Sequence, residues 1–200
     1  MKEKEIIAYL RENIEPIEDN IYGNSYRASV YLIDGLYLPC VVFHNTDKTV
    51  ELAIRRFKEE QSGKGFIKSN GYEEIVKSFV TRGNCVNLFD VASIEKSRFA
   101  LPISVLKQIR SETSMSWTGF ALKMKDGKYF GFGTTFSFEF FHLPETYSID
   151  DIDEVINHSY VLKSGELCSH KIAYPDHPDN YKDAVIYRER PFFVCYIDNL

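Results

Sequence analysis

The chain reads as a single α+β domain over residues 1–200, predominantly antiparallel β-sheet with flanking helices. Three observations predict this. Short β-branched and aromatic runs alternate with Asp-Gly and Asn-rich turn signals. Other stretches repeat apolar residues at helical spacing. A 44% hydrophobic content over 200 residues is enough to bury one core. No Pro/Ser-rich linker, low-complexity run or internal repeat divides the chain.

The first element is a predicted helix over Lys2 to Asn13, because Ile6, Ile7 and Leu10 share a face and Pro16 helps to end it. From Ser25 onward, turn signals at Asp34-Gly35 and Asn45 to Lys48 separate apolar runs and predict a three-stranded meander. Its second strand is apolar on both faces, so it should be covered on both sides, with a bulge or unpaired edge where Pro39 lacks a donor. The third run, "TVELAIRRFKEE", suits a helix as well as a strand, since Val50, Ile54 and Phe57 also fit helical spacing.

Residues 59–70 read as a polar glycine-containing loop. Helices follow at about Tyr72 to Thr81 and at Pro102 to Arg110, the latter with proline in its first turn. Ser148 and Asp151 form a capping-box pattern before a short acidic helix, Ile149 to Asn157. The C-terminal part returns to strands at "SYVLK" and "AVIYRERPFFVCYI".

The strongest hairpin signal is "SWTGFALKMKDGKYFGFGTTFSFEFF", turning at Asp126-Gly127. A two-residue turn there places Gly131 opposite Leu122 and Gly133 opposite Phe120, so that large side chains face small ones. A three-residue turn would shift that register. The aromatic strand lacks a basic residue between Lys128 and His142. It therefore reads as core and not as a base-stacking platform. The Gly-Phe-Gly string has strand on both sides, whereas a phosphate loop runs from strand to helix.

Net charge is −5, distributed as −4 over residues 1–54, +5 over 55–110 and −6 over 111–200. Such a balance disfavours nucleic acid and anionic lipid as partners of the whole chain. The charged, amphipathic N-terminus does not resemble a secretory signal, and no stretch reaches transmembrane length. Four cysteines without a C-x-x-C pair read as reduced thiols of a cytoplasmic protein.

Three constellations carry chemistry. Cys168, His170, Asp176 and His177 are suitable ligands for a borderline-soft metal, although their spacing matches no standard zinc pattern. A Cys168 nucleophile beside His170 is the related catalytic reading. Glu139 and His142, near the end of the aromatic strand, could form an acid–base pair if Glu139 were desolvated. Arg55, Arg56, Lys58, Lys64 and Lys68 surround Gly63 and Gly65 and could hold an anion, or phosphate of a nucleic acid.

Without a marked nucleophile, ligand set or cofactor loop, no cofactor is expected. The leading expectation is a non-enzymatic protein–protein interaction module, of the kind found among small acidic bacterial accessory proteins. The alternatives are a hydrolase-like or metal-dependent enzyme at the first two constellations, and a phosphate or nucleic-acid binder at residues 55–68. Nothing in the residues sets an oligomeric state.

Overall fold

The computed structural model describes residues 1–20, 23–62, 83–135, 137–170 and 182–200. The chain is α+β, and its described residues form ten strands in two mixed, mostly antiparallel sheets with few helices. It divides into two compact units, Met1–Ser97 with Phe192–Leu200, and Arg98–Pro191. Among the described residues, no helix is long and apolar enough to cross a membrane. The predicted helix at 72–81 lies outside the described residues.

The first unit begins with α1 (Glu3–Asn13), whose first turn is closed when Lys2 N–H donates to the Glu5 carboxylate. Ile6 and Leu10, one turn apart, are fully buried, as the helical spacing requires. Strands β1 (Ser25–Leu32) and β2 (Tyr37–Asn45) form an antiparallel hairpin. Its loop, Ile33 to Gly35, closes with Leu32 N–H to Leu36 O and Gly35 N–H to Leu32 O, both 2.9 Å. Gly35 has φ +88°, a left-handed position that costs any residue with a Cβ.

The sheet is completed from far along the chain. β3 (Val91–Lys96) pairs with β1 antiparallel and β10 (Phe193–Ile197) pairs with β2 parallel, giving the order β10-β2-β1-β3. Cys40, Val41, Val42 and Phe43 on β2 are all buried, so the strand is covered on both faces as its composition predicts. The register of β1 against β2 slips between Ala28 and Val30, opposite Pro39. The Pro39 carbonyl is taken instead by the Ser29 and Ser97 hydroxyls, at 2.8 and 2.6 Å. The bulge follows from proline's missing N–H.

The third strand of the expected meander is a helix, α2 (Thr46–Gln61). It starts where Asn45 Oδ1 accepts the Asp47 N–H, an N-cap interaction at 2.8 Å. The sheet position it might have filled is occupied by β10, so the helical option in "TVELAIRRF" is the one realised.

The second unit holds α3 (Ile103–Leu106), β4 (Thr118–Met124), β5 (Tyr129–Thr134), β6 (Ile152–Asn157), β7 (Ser159–Leu162), β8 (Leu167–Ser169) and β9 (Ala184–Arg188). Their order is β6-β4-β5-β9-β7-β8. Two sequence expectations are corrected here. The helix predicted at Pro102 to Arg110 is one turn long, and the side-chain amide of Asn157 ties down the chain after it through Gln108 O and Arg110 N–H. The capping box of Ser148 and Asp151 does form, but it opens a single 3-10 turn, and residues 152–157 run on as strand β6.

The β4–β5 hairpin closes through a three-residue loop, Lys125 to Gly127, with Met124 N–H to Lys128 O and Gly127 N–H to Met124 O. The register therefore differs by one from the two-residue prediction. Gly131 lies opposite Ala121, Gly133 opposite Gly119, and Phe120 opposite Phe132. Phe120, Leu122, Met124, Phe130 and Phe132 consequently share one face. Phe120, Leu122, Met124 and Phe132 are buried there with Leu101, Val105, Phe141 and Leu143. Phe120 and Phe132 stack at 5.5 Å, and Phe141 meets both edge-on. Burying each such ring stabilises the unit by about 1.5–3 kcal/mol.

The opposite face is made small so that backbone can approach. A Cβ on Gly131 would lie 2.8 Å from Val185 O and 3.0 Å from Val161 N, so the backbone of strands β7 and β9 comes close to it. A Cβ on Gly133 would stand inside the Trp117 ring. The glycines of "GFG" thus make room for Trp117 and two strands, not for Phe120 and Leu122.

Candidate functional site

β5 ends at Thr134, and the described residues of the aromatic run beyond it are not part of a strand. The Thr134 hydroxyl donates to Ser137 O at 2.7 Å and accepts the Ser137 N–H at 3.0 Å, which turns the chain. Glu139 follows that turn half-buried, and its carboxylate accepts the Ser137 hydroxyl at 2.6 Å. His142 is exposed and engaged elsewhere. Arg190 Nη1 lies 2.9 Å from its Nδ1, and since a guanidinium only donates, Nδ1 accepts and the ring proton sits on Nε2. The imidazole stacks against Phe99 and Tyr187, while Arg190 covers the Phe99 ring at 4.0 Å. The lone pair that a general base would need is occupied.

Cys168 lies on β8 opposite Tyr160, half-buried. His170 is buried with its ring 5.0 Å from that of Tyr160, and its Nε2 stands 2.6 Å from where a Gly119 Cβ would be. Its backbone N–H donates to His158 O. His158, which the sequence reading passed over, has φ +52° and lies 3.1 Å through Nδ1 from the Thr113 hydroxyl. That hydroxyl also accepts the Gly119 N–H at 3.0 Å. The two histidines therefore join a packing network around Gly119. Asp176 and His177 lie outside the described residues. Among the described residues, no group of three or more His, Cys, Asp or Glu side chains is placed to hold a metal ion. Among the described residues no cysteine is in a disulfide, and burial pushes the Cys195 thiol up to about 12, far from a reactive thiolate.

Arg55, Arg56 and Lys58 are on helix α2 and not in the anion loop foreseen for them. Lys64, Lys68 and the two loop glycines lie outside the described residues. Arg56 pairs with Glu59 at 3.1 Å, and Glu51 and Glu59 share the surface of Arg55 and Lys58. Interleaved carboxylates lower the pull of this helix on an anion.

Among the described residues, a group of exposed apolar side chains lies at the β1–β2 hairpin tip. Phe89 is 83% exposed, Ile33 70% and Leu36 54%, with Tyr31 and Tyr37 also exposed. Ile33 N–H donates to Asp90 O at 2.8 Å, which brings the Leu88–Asp90 turn and Phe89 beside the tip. Tyr31 and Tyr37 oppose each other in register with ring centroids 4.7 Å apart. Three carboxylates edge this surface. Asp34 accepts the Leu36 N–H, Asp90 adjoins Phe89, and Glu95 reaches Tyr37. Desolvation, with Glu95 adding to it, holds the Tyr37 phenol above its ordinary value, so it stays a hydrogen-bond donor. The N-terminal ammonium bonds Val91 O next along. The available signal for this site was Ile33 and Leu36 flanking Asp34-Gly35, since turns are ordinarily polar.

No protein-family model matches the chain, and neither a curated protein nor a solved structure matches it.

Proposed function

We propose that the chain is a non-enzymatic cytoplasmic module that binds another protein, with the β1–β2 tip as its docking surface. The observation that carries this reading is the group of five exposed apolar side chains, Tyr31, Ile33, Leu36, Tyr37 and Phe89, around one hydrogen-bonded turn. Large apolar groups gathered on a surface lose free energy to water that a partner would recover, and aromatic residues ringed by polar groups are the usual make-up of an interface centre. The neighbouring Asp34, Asp90 and Glu95 favour a partner with an apolar centre and a basic rim. The engagement of His142 by Arg190, and of His170 by its packing, supports the non-catalytic side of the proposal.

A photo-crosslinking residue at Leu36, with a second at Lys163 as control, tests the surface in the native cytosol. The expected result is one partner captured from Leu36 alone, lost in an Ile33→Asp, Phe89→Asp double variant and weakened by added salt. Equal capture from both positions, or a partner retained by the double variant, would overturn the assignment.

A further inference from the structure

The second unit contains a cavity of about 500 Å³ lined by Leu106, Ile109, Arg110, Glu112, Thr118 and Phe138, with Ser111, Thr134 and Thr135 completing it. That volume lies within the range of small-molecule sites. Its position follows from the hairpin register. Thr118 and Thr134 are direct partners across β4 and β5, next to the Phe120–Phe132 rung, so the cavity opens where the aromatic core stops. Leu106, Ile109 and Phe138 pack against that core and continue it into the cavity wall.

The two threonines are not equivalent. Thr134 uses its hydroxyl in the turn to Ser137. Thr118, only 8% exposed, lines the cavity. Its hydroxyl, unlike that of Thr134, is available to exchange a hydrogen bond with a molecule in the cavity. At the cavity's edge, the guanidinium of exposed Arg110 has no ion-pair partner among the described residues. Two residues on, Glu112 spends one carboxylate oxygen on the Ser116 N–H at 3.2 Å. An anion alone would be drawn to Arg110 and repelled by Glu112. A zwitterion satisfies both.

We infer that this cavity binds a small apolar zwitterion of the amino-acid or dipeptide class. Its carboxylate lies on Arg110, its ammonium is turned to Glu112, and its apolar side chain rests on Leu106, Ile109 and Phe138. Thr118 supplies a hydrogen bond at the inner wall. The site is separate from the hairpin tip and stands or falls independently of it.

The test is a titration of the full chain followed by amide NMR, using L-phenylalanine, L-leucyl-L-phenylalanine, 3-phenylpropionate and 2-phenylethylamine as probes. At least one zwitterion should saturate, with shifts centred on Ser111, Thr118 and Thr135. The tighter of the two identifies whether a free amino acid or a dipeptide is the ligand. The singly charged probes should bind at least about tenfold more weakly, the usual margin for a lost charge-assisted hydrogen bond. Arg110→Ala and Glu112→Gln alter exposed positions and should weaken the zwitterion by a similar factor. Thr118→Val should keep the native amide pattern while losing affinity, which separates binding from folding. No saturable shift with either zwitterion, 3-phenylpropionate binding as tightly as they do, or unchanged affinity in Arg110→Ala would each overturn the inference.

Discussion

The hairpins β1–β2 and β4–β5 turn through the same loop and finish it oppositely. Ile33-Asp34-Gly35 and Lys125-Asp126-Gly127 share the two closing backbone hydrogen bonds, a glycine at φ +88°, and an aspartate that accepts the N–H two residues on. Lys163-Ser164-Gly165 repeats the pattern with serine in the aspartate's place. At the second tip, Asp126 also takes the Tyr147 hydroxyl at 2.6 Å, and Lys128 lies over the Tyr147 ring. That tip's polar groups are used by its own unit. At the first tip, Ile33 and Leu36 are left facing outward. A turn's geometry is thus set by one glycine and one short acceptor, while the remaining side chains are free to serve stability or recognition.

This contrast can be broken most forcefully in the body of the second hairpin. Gly133→Ala would place a methyl in the Trp117 ring, and we expect a loss of about 2–3 kcal/mol in thermal or urea unfolding of the second unit. A wild-type melting profile in that variant would mean that the ring is not seated there. Next in size, Gly35→Ala and Gly127→Ala each force alanine into left-handed backbone, with nothing near either Cβ. Both should cost about 1–2 kcal/mol and by the same amount. Unequal values would show that the two loops are not the same device.

A smaller effect concerns the tips' carboxylates. The Tyr147 hydroxyl, followed by the Lys128 N–H, holds Asp126 below the usual carboxylate range. A depressed value in the folded state means that the stabilisation is present at neutral pH. It disappears as pH falls past the unfolded aspartate range and through the folded value. The stability gap between wild type and Asp126→Asn should therefore close in acid, and a gap independent of pH would dismiss the interaction. Smallest of all, Ile33→Asp with Phe89→Asp should leave the melting temperature nearly unchanged, because both side chains are already in water. A marked drop would make the first tip structural, like the second.

The sequence carries local information well and long-range information poorly, and particular residues show why. Helix α1, the β1–β2 hairpin, the Pro39 bulge and the β4–β5 hairpin were legible because periodicity, Asp-Gly and proline act within a few positions. The register of β4 against β5 was not, since Asp126-Gly127 fits a two-residue or a three-residue loop and one residue exchanges the faces. Nor was α2, because the choice between helix and strand rested on β10, more than a hundred residues later, pairing with β2. Of the candidate chemistry, residue types were visible and geometry was not. His142 and His170 look alike as letters, yet one is hydrogen-bonded to an arginine and the other is wedged against a glycine. Thr118 carried no signal at all, since its distinction lies in what Thr134 does instead.

Trp117 is the chain's sole tryptophan, and its indole lies across Gly133 and close to Gly119, with the Arg188 guanidinium 4.9 Å away. Its fluorescence therefore comes from one address inside the second unit, beside a fixed positive charge. Tyrosine emission draws on rings in both units. Recording the two signals in one denaturation experiment reads the second unit apart from the whole, without attaching a dye.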